Sequence, residues 1–495
     1  MRLTTSRPVA TAIAILVLAA CTGTAETSST TTTAPPTTTI PTTTTTTLAD
    51  CSSVDGPLPN MIEGESASEI SVAVSNLRFE CANAAVVTSD SLPAIQAGAA
   101  LGLEDDEPVL VNGDGTVAEL ERLGARSVRW VGPAPAPDFG IETSIVSPAD
   151  IGTPASLTVT DPPALWVLGE NSDAAPILRA AAAARGEAFV DITAFEDLRT
   201  VDREVMDLFG IGTIVTVGLD ENQMWQLGVV RAATELPGGG FTFDGKRLVA
   251  FYGNPTTSAL GVLGEQDPAA TLERLRPIVE DYSADGLQGI PTFEIIATVA
   301  SSRAGADNDY SDEAGIETLR PWIDFAAANG VYVVLDLQPG RTDFLTQAQR
   351  YEEFLRLPHV GLALDPEWRL KPNQVHLRQI GTVDATEINQ VSAWLAEIVR
   401  EEQLPQKYFL VHQFHFSMIT NRELIETPTE LFTVIQMDGQ GPLHTKYETY
   451  GAITAGQEDA GWAWGWKNFY DEDNPMGTPA EVLAVEPVVV FVSFQ

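Results

Sequence analysis

The segment 332–368 determines the predicted fold, and it reads YVVLDLQPGRTDFLTQAQRYEEFLRLPHVGLALDPEW. Its first part, 332–337, and a later part, 361–365, are short apolar runs that each acquire an aspartate near the C-terminal end. Between them, 344–355 has a helical pattern. This order predicts two parallel strands joined by a crossover helix, because parallel strands cannot be joined by a tight turn. Strands that are apolar throughout also indicate burial on both faces.

The same pattern recurs through the C-terminal part of the chain. Eight candidate strands lie at 248–252, 294–299, 332–337, 361–365, 408–413, 432–437, within 460–466, and at 488–493. Helical patterns lie between several of them, at 269–279, 317–328, 344–355 and 388–401. Because a (β/α)₈ barrel usually takes about 250 residues, we predict an α/β fold with a TIM-like (β/α)₈ barrel over 245–495. An open doubly wound sheet is the alternative.

Polar side chains cluster where these strands end. They are Tyr252, Asp336, Asp365, Glu367, Trp368, His412, Gln413 and Asp438. In such a barrel the C-terminal strand ends converge on one face, which carries the active site. Buried carboxylates are unfavourable unless they are paired or hydrogen-bonded, so repeated acids at strand ends indicate a site. The alternative is that some of these acids only cap the helices that follow.

The sequence Asp365-Pro366-Glu367 suggests carbohydrate chemistry. Glycosidases need one carboxylic acid to protonate the leaving oxygen and a second group to assist the oxocarbenium-like transition state. The motif resembles the end of the family-18 chitinase signature, Asp-x-x-Asp-x-Asp-x-Glu, with Val360 and Ala363 at the first two aspartate positions. The resemblance implies that Glu367 is the catalytic acid and that Asp365 orients an acetamido group.

The same resemblance extends to the sixth strand, where the family's Met-x-Tyr-Asp is present only as Met437-Asp438. We predict that the other strand-end residues bind substrate: Asp336, Tyr252, His412, Gln413, Asp438 and Trp368. Three alternating tryptophans at 462, 464 and 466 would share one strand face and form either a sugar platform or part of the core.

Two other functions remain open for the barrel. A metal-dependent hydrolase would use Asp336, Asp365, Glu367, His412, His415 and Asp438, which are the oxygen and imidazole ligands that such sites employ. A non-catalytic barrel would bind glycan or act as a scaffold for other envelope proteins. The favoured prediction, a glycoside hydrolase, includes neither a metal nor another cofactor.

A second α/β region precedes the barrel at 50–240, up to a turn at 237–240. It contains two weakly similar copies of strand, helix, strand, helix, strand. The first copy has strands near 85–90, 108–111 and 128–132. The second has strands near 165–169, 188–191 and 212–218, with a helix at 202–209. This alternation predicts parallel sheets in a layered arrangement.

The string AELERLGARSVRWVG at 118–132 is similar to the end of the type-2 cell-wall-binding repeat. Asp90-Ser91-Leu92 and the PVLV at 108–111 stand at the matching earlier places, and the similarity covers about 70–235. The resemblance implies a Rossmann-like domain that attaches surface proteins to anionic wall polymer, so a cell-wall glycan or polymer is the expected partner. The second copy lacks the Asp-Ala-Leu element, and a purely structural descendant of the repeat is the alternative.

The N-terminus has the features of an export signal. Residues 1–20 combine Arg2 and Arg7 with a short apolar run, and the sequence LAAC at 18–21 resembles a bacterial lipobox. We therefore predict that Cys21 is lipidated, for example by palmitate, and anchors the chain at the extracytoplasmic face of the cell membrane. Residues 21–49 are rich in Thr and Pro, which predicts a disordered stalk.

The cysteine usage agrees with an extracytoplasmic location, and the net charge limits the kinds of partner. Cys51 and Cys81 remain as an even pair in an oxidising compartment, which predicts a disulfide; two free buried thiols are the alternative. The formal net charge of −40 argues against nucleic acid as a partner.

Overall fold

A computed structural model describes residues 51, 61–64, 66–151, 164–169, 172–191, 213–457 and 459–495. The predicted signal, Cys21, the stalk and the helix at 202–209 lie outside the described residues. The chain forms two compact units, one ending at Met224 and one running from Trp225. Among the residues that the structure describes, no helix combines the length and apolar character needed to cross a membrane.

The described residues of the first unit form two separate four-stranded parallel sheets. One sheet has the order Val109–Val111, Ala84–Thr88, Ser127–Val131, Glu142–Val146, and the other Met61–Ile62, Ile214–Val217, Leu165–Leu168, Ala188–Asp191. Helices at Ala67–Arg78, Leu92–Asp105, Thr116–Leu123 and Ala175–Ala184 lie between the strands in the chain, and the helix Glu221–Ala232 begins at the end of this unit and continues into the second. The parallel α/β pattern predicted from the two copies is present. The strands of each copy lie in a different sheet, and Met61–Ile62, which precedes both copies, joins the sheet of the second. A disulfide joins Cys51 to Cys81, as predicted.

The second unit is built on eight parallel strands that close into a barrel. They are Lys246–Gly253, Gln288–Ala300, Tyr332–Leu337, Val360–Leu364, Lys407–His412, Leu431–Met437, Ala463–Asn468 and Val489–Phe494. Each strand pairs with the next, and the eighth pairs with the first through registers such as Phe491 opposite Leu248. The closed barrel confirms the predicted TIM-like fold and excludes the open sheet.

The connection from the fifth strand to the sixth, which the structure describes in full, contains no α-helix. α-Helices follow six of the eight strands. They span Pro268–Asp281, Ile316–Asn329, Phe344–Gln349, Glu352–Leu355, Ala385–Glu401, Leu443–Thr454 and Pro479–Leu483. The single helix expected at 344–355 is divided into two at Arg350 and Tyr351. The second strand begins at Gln288 rather than at Glu294, so Glu294 lies within a strand instead of at its start.

The inward side chains change from apolar to polar along the barrel axis. The lower interior is closed by Phe243, whose ring makes edge contacts with Tyr332 and Tyr408 at centroid distances of 5.1 and 4.9 Å. Leu248, Ala250 and Val334 belong to the same buried cluster. Because successive inward positions are two residues apart, the next residue up the first strand is Tyr252, and the next up the third is Asp336. The apolar cluster therefore supports a polar layer directly above it.

Candidate functional site

Every barrel strand contributes a polar side chain to this upper layer. In strand order they are Tyr252, Glu294, Asp336, Asp365, His412, Gln436, Lys467 and Ser493. Strand registers place Tyr252 opposite Glu294, His412 opposite Gln436, and Lys467 opposite Ser493. Asp438, just beyond the sixth strand, and Glu367, just beyond the fourth, extend the layer toward the barrel mouth. The C-terminal end of the barrel is therefore lined by acids and a few cations.

His412 lies at the centre of the acids and is fully buried. Its Nδ1 is 3.1 Å from Asp438 Oδ2, and its Nε2 is 3.2 Å from Glu294 Oε1 and 3.5 Å from Asp336 Oδ1. Burial alone would lower the pKa of His412, but the negative charge of Asp336 and the contacts with Asp438 and Glu294 outweigh it and raise the pKa well above its usual value. The side chain is therefore an imidazolium that offsets part of the surrounding negative charge.

Several buried carboxylate oxygens have no hydrogen-bond partner among the described residues. They include both oxygens of Glu294, Oδ1 of Asp336 and Oδ1 of Asp438. The two acids beside His412 Nε2 are within ion-pair distance of it, but neither is aligned with its N–H. A buried polar atom without a partner costs about 1–3 kcal/mol, and such atoms are rare in native cores. Such a cluster of carboxylate oxygens that lack hydrogen-bond donors is typical of a site that receives a ligand.

Tyr252 holds Asp336 in place from the first strand. Its hydroxyl donates to Asp336 Oδ2 at 2.9 Å and accepts from Gln338 Nε2 at 3.1 Å. Burial, reinforced by the negative charges of Asp336 and Asp365, raises the pKa of Tyr252 well above its usual value. The phenol therefore remains a proton-bearing donor that fixes the orientation of one carboxylate.

Asp365 and Glu367 follow the fourth strand in a short helical turn, Pro366–Trp368. Asp365 is buried, and its Oδ1 accepts a hydrogen bond from the backbone N–H of Glu367 at 3.2 Å. Burial raises the pKa of Asp365 well above its usual value; the positive charge of His412 opposes this shift and Asp336 adds to it. Asp365 therefore holds its proton more tightly than an exposed aspartate does.

Glu367 differs from Asp365 because it is only partly buried. Burial and the negative charge of Asp438 raise its pKa to about 7, against the opposing effect of Lys467. A carboxyl group with this pKa can both donate and accept a proton near neutrality, which is the property that general acid–base catalysis requires. Glu367 is thus the residue of the layer best suited to proton transfer.

The structure places other predicted residues outside this group. Gln413 is buried, and its Oε1 accepts from Arg422 Nη1 at 2.6 Å. Trp368 lies against the ring of His376, with centroids 4.9 Å apart. His415 is exposed and accepts from the backbone N–H of Ser417 at the start of a short turn.

The three alternating tryptophans at 462, 464 and 466 are buried core residues. Trp466 donates from Nε1 to Asn468 Oδ1 at 2.9 Å and packs on Tyr450 of the Leu443–Thr454 helix. They therefore form part of the core rather than a sugar platform. Their side chains point away from the barrel interior, whereas Gly465 and Lys467 lie on the inward face of the strand.

Four residues of the layer were not anticipated from the sequence: Glu294, Gln436, Lys467 and Ser493. Glu294 was assigned to the start of a strand, although it interrupts the apolar run Phe293-Glu294-Ile295 at a position where a buried carboxylate is conspicuous. Lys467 was missed because the seventh strand was placed only within 460–466. Its alternation with Gly465 would have put it on the inward face.

The six residues named for the metal alternative do not bring three donor atoms close enough together to hold a metal ion. Within the described ranges, only one group of acidic, histidine or cysteine side chains brings its donor atoms close enough together for a metal ion: Asp307, Asp309 and Glu313. These residues lie in the connection after the second strand and are separate from the six residues named for the metal alternative. We therefore derive no metal chemistry for the layer around His412.

Comparison with known proteins found no matching family model and no matching curated protein.

Proposed function

We propose that the barrel is a glycoside hydrolase of envelope glycans and that Glu367 is its general acid. The observation that carries this proposal is the pKa of about 7 of a partly exposed carboxyl group beside a buried, acid-rich layer. At neutral pH a large fraction of Glu367 is protonated and can donate to the leaving glycosidic oxygen. The acidic side chains below it stabilise the positive charge that develops on the sugar ring.

Asp365 is the second group in this reaction. The raised pKa of Asp365 favours the protonated carboxyl group, which can donate a hydrogen bond to a substrate oxygen. The family-18 resemblance assigns this position to the orientation of an acetamido group, and a protonated carboxyl beside the acid fits that role. The backbone hydrogen bond from Glu367 to Asp365 fixes the spacing between the two side chains.

The positions of the two motifs in the barrel support the resemblance. Asp365 and Glu367 follow the fourth strand, and Asp438 follows the sixth, as the corresponding motifs of family-18 chitinases do. In addition, Asp438 acts electrostatically on Glu367. The first two aspartates of the signature are replaced by Val360 and Ala363, which are fully buried. In this proposal, Glu294 from the second strand and Asp336 from the third supply the acidic groups that the two missing aspartates would provide.

The catalytic assignment is tested by Glu367→Gln on wall-type glycans, compared with Glu397→Gln on the exposed face of the Ala385–Glu401 helix. General acid catalysis contributes about 10²- to 10⁴-fold, so we expect a loss of that size in the first variant and none in the second. If Glu367→Gln hydrolyses glycan at the wild-type rate, Glu367 is not the acid.

We further propose that the chain is a lipoprotein held at the extracytoplasmic face through Cys21. The disulfide between Cys51 and Cys81 supports an oxidising compartment. Cells fed labelled palmitate should label the wild-type protein, and Cys21→Ala should abolish both the label and the membrane association. Retention of label in Cys21→Ala would exclude that anchor.

We also propose that residues 50–240 bind wall polymer, as the repeat resemblance implies. The strands of the two copies lie in different parallel sheets, which supports a repeat origin. The full chain should sediment with purified wall from which other proteins have been removed, and wall stripped of its anionic polymer should bind less. Equal binding to stripped wall would favour attachment through the glycan, and hence through the barrel.

A further inference from the structure

Lys467 is a buried cation within the polar layer that has no assigned role. It lies on the seventh strand and is 3% exposed. Its Nζ is 3.4 Å from the centre of the Tyr252 ring and 5.3 Å from that of Phe469. Cation–π contacts of this kind stabilise an ammonium group. They hold the ammonium group of Lys467 at a defined place, against the ring of Tyr252 from the first strand.

The N–H groups of Lys467 have no acceptor among the described residues. Within the described part of the chain, Nζ of Lys467 donates no hydrogen bond, whereas the neighbouring Lys446 donates to the backbone oxygen of Lys467 and to Asp473. An aromatic ring holds an ammonium group without accepting conventional hydrogen bonds from it. Up to three N–H donors of Lys467 are therefore available to a ligand, in a position where unmet polar groups are costly.

Lys467 also acts on the proposed acid. Its positive charge opposes the rise in the pKa of Glu367, which places the ammonium close enough to that carboxyl group to affect its proton. The other cation of the layer, His412, is already contacted by three carboxylates. Lys467 is thus the cation of the described layer that remains open to an incoming molecule.

We propose that Lys467 is a substrate-contacting residue, which donates from Nζ to a hydroxyl or carbonyl oxygen of the sugar bound beside Glu367. This inference rests on the proposed glycosidase function and adds a specificity-determining group to it. The favoured ligand is an uncharged sugar, because the acids around Lys467 (Glu294, Asp336, Glu367 and Asp438) would repel a carboxylated one. Tyr252 is then a positioning residue, which holds the ammonium by its ring.

The test measures binding in the Glu367→Gln background, where a bound glycan is not cleaved. Titration calorimetry with a neutral N-acetylglucosamine tetrasaccharide should show roughly 10- to 100-fold weaker binding after Lys467→Met, the loss expected for a charged hydrogen bond. Lys467→Arg should retain most of the affinity. The matched control is Lys371→Met, which removes the same charge from an exposed position after the fourth strand. A tetrasaccharide containing glucuronate should bind more weakly than the neutral one.

A second measurement does not depend on any glycan. In carbon-detected NMR titrations, Lys467→Met should raise the pKa of Glu367, whereas Lys371→Met should leave it at the wild-type value. Lys467→Gln serves for both measurements if the methionine variant does not fold, which circular dichroism will show.

The outcomes separate the two proposals. If Lys467→Met binds the neutral tetrasaccharide with wild-type affinity, or leaves the Glu367 titration unchanged, the role of Lys467 is overturned while the glycosidase proposal stands. If Glu367→Gln binds no glycan and the wild-type protein cleaves none, the glycosidase proposal fails and the role of Lys467 fails with it. Tighter binding of the glucuronate-containing tetrasaccharide would overturn the inferred preference for an uncharged sugar.

Discussion

Replacement of Glu367 by glutamine should stabilise the barrel at alkaline pH even though it removes the proposed acid. The pKa of Glu367 is about 7 in the folded protein, against an ordinary value of 4.5. A group whose pKa is raised by folding gives stability that is complete below the unfolded pKa and is lost as the pH rises through the folded pKa. The loss therefore occurs between about pH 4.5 and pH 7, and glutamine, which cannot ionise, escapes it.

The size of the effect follows from the gap between the two pKa values. A gap from 4.5 to about 7 corresponds to roughly 3 kcal/mol of unfolding free energy once both states are ionised. At pH 5 most of this penalty has not yet developed, and at pH 8 it is nearly complete. The stability of Glu367→Gln relative to wild type should therefore rise by roughly 2 to 3 kcal/mol between pH 5 and pH 8.

Urea unfolding followed by tryptophan fluorescence at pH 5, 6, 7 and 8 measures this difference and stays above the isoelectric point of about 4.2. The control Glu397→Gln changes an exposed glutamate on the Ala385–Glu401 helix and should follow wild type at every pH. A pH-independent difference between Glu367→Gln and wild type would refute the electrostatic reasoning, because it would show that Glu367 ionises as freely in the fold as in the unfolded chain.

Three further changes test the contacts that hold the fold and the site. Substitution of His412 by glutamine should lower the unfolding free energy at pH 7 by about 3–5 kcal/mol, because it leaves buried carboxylates without their cation; a urea midpoint close to wild type would contradict this. Tyr252→Phe removes the hydroxyl that donates to Asp336 and should cost about 1–2 kcal/mol in the same assay, whereas an unchanged midpoint would show that the bond is not significant. Serine at both Cys51 and Cys81 opens a link between residues 30 apart, which should destabilise the first unit by about 3–4 kcal/mol in thermal unfolding; equal melting of the variant and wild type would exclude a stabilising disulfide.

The barrel itself was accessible from the sequence because its signal is repeated. Buried parallel strands must be apolar along their whole length, and runs such as Tyr332–Leu337 and Val360–Leu364 stand out from the helical patterns between them. Strand limits were less accessible, since a strand that carries polar residues in its interior no longer appears apolar. Glu294 interrupts the apolar pattern of the second strand in this way, so the half of the strand that precedes Glu294 was not predicted.

The site was predicted where a polar residue stands at or close to the C-terminal end of its strand. Asp365, His412 and Asp438 stand at or just after strand ends, so their convergence follows from the geometry of a barrel. Gln413 is adjacent to His412 in sequence but bonds to Arg422, because neighbouring residues of a strand point to opposite faces. Which of two adjacent polar residues faces inward depends on the strand register, and the sequence alone does not define the register.

The polar layer is difficult to explain as a device for stability. Replacing a buried ionic group by well-packed apolar residues is often neutral or stabilising by about 1–4 kcal/mol, and the lower barrel already shows such packing around Phe243. Here, in contrast, the upper layer brings three carboxylates to one imidazolium and leaves oxygens of Glu294, Asp336 and Asp438 without hydrogen-bond partners in the described protein. Selection for folding alone would remove such a group, since each member can be replaced by an apolar residue of similar size. Its presence at the barrel end where ligands bind therefore favours a chemical role over a structural one.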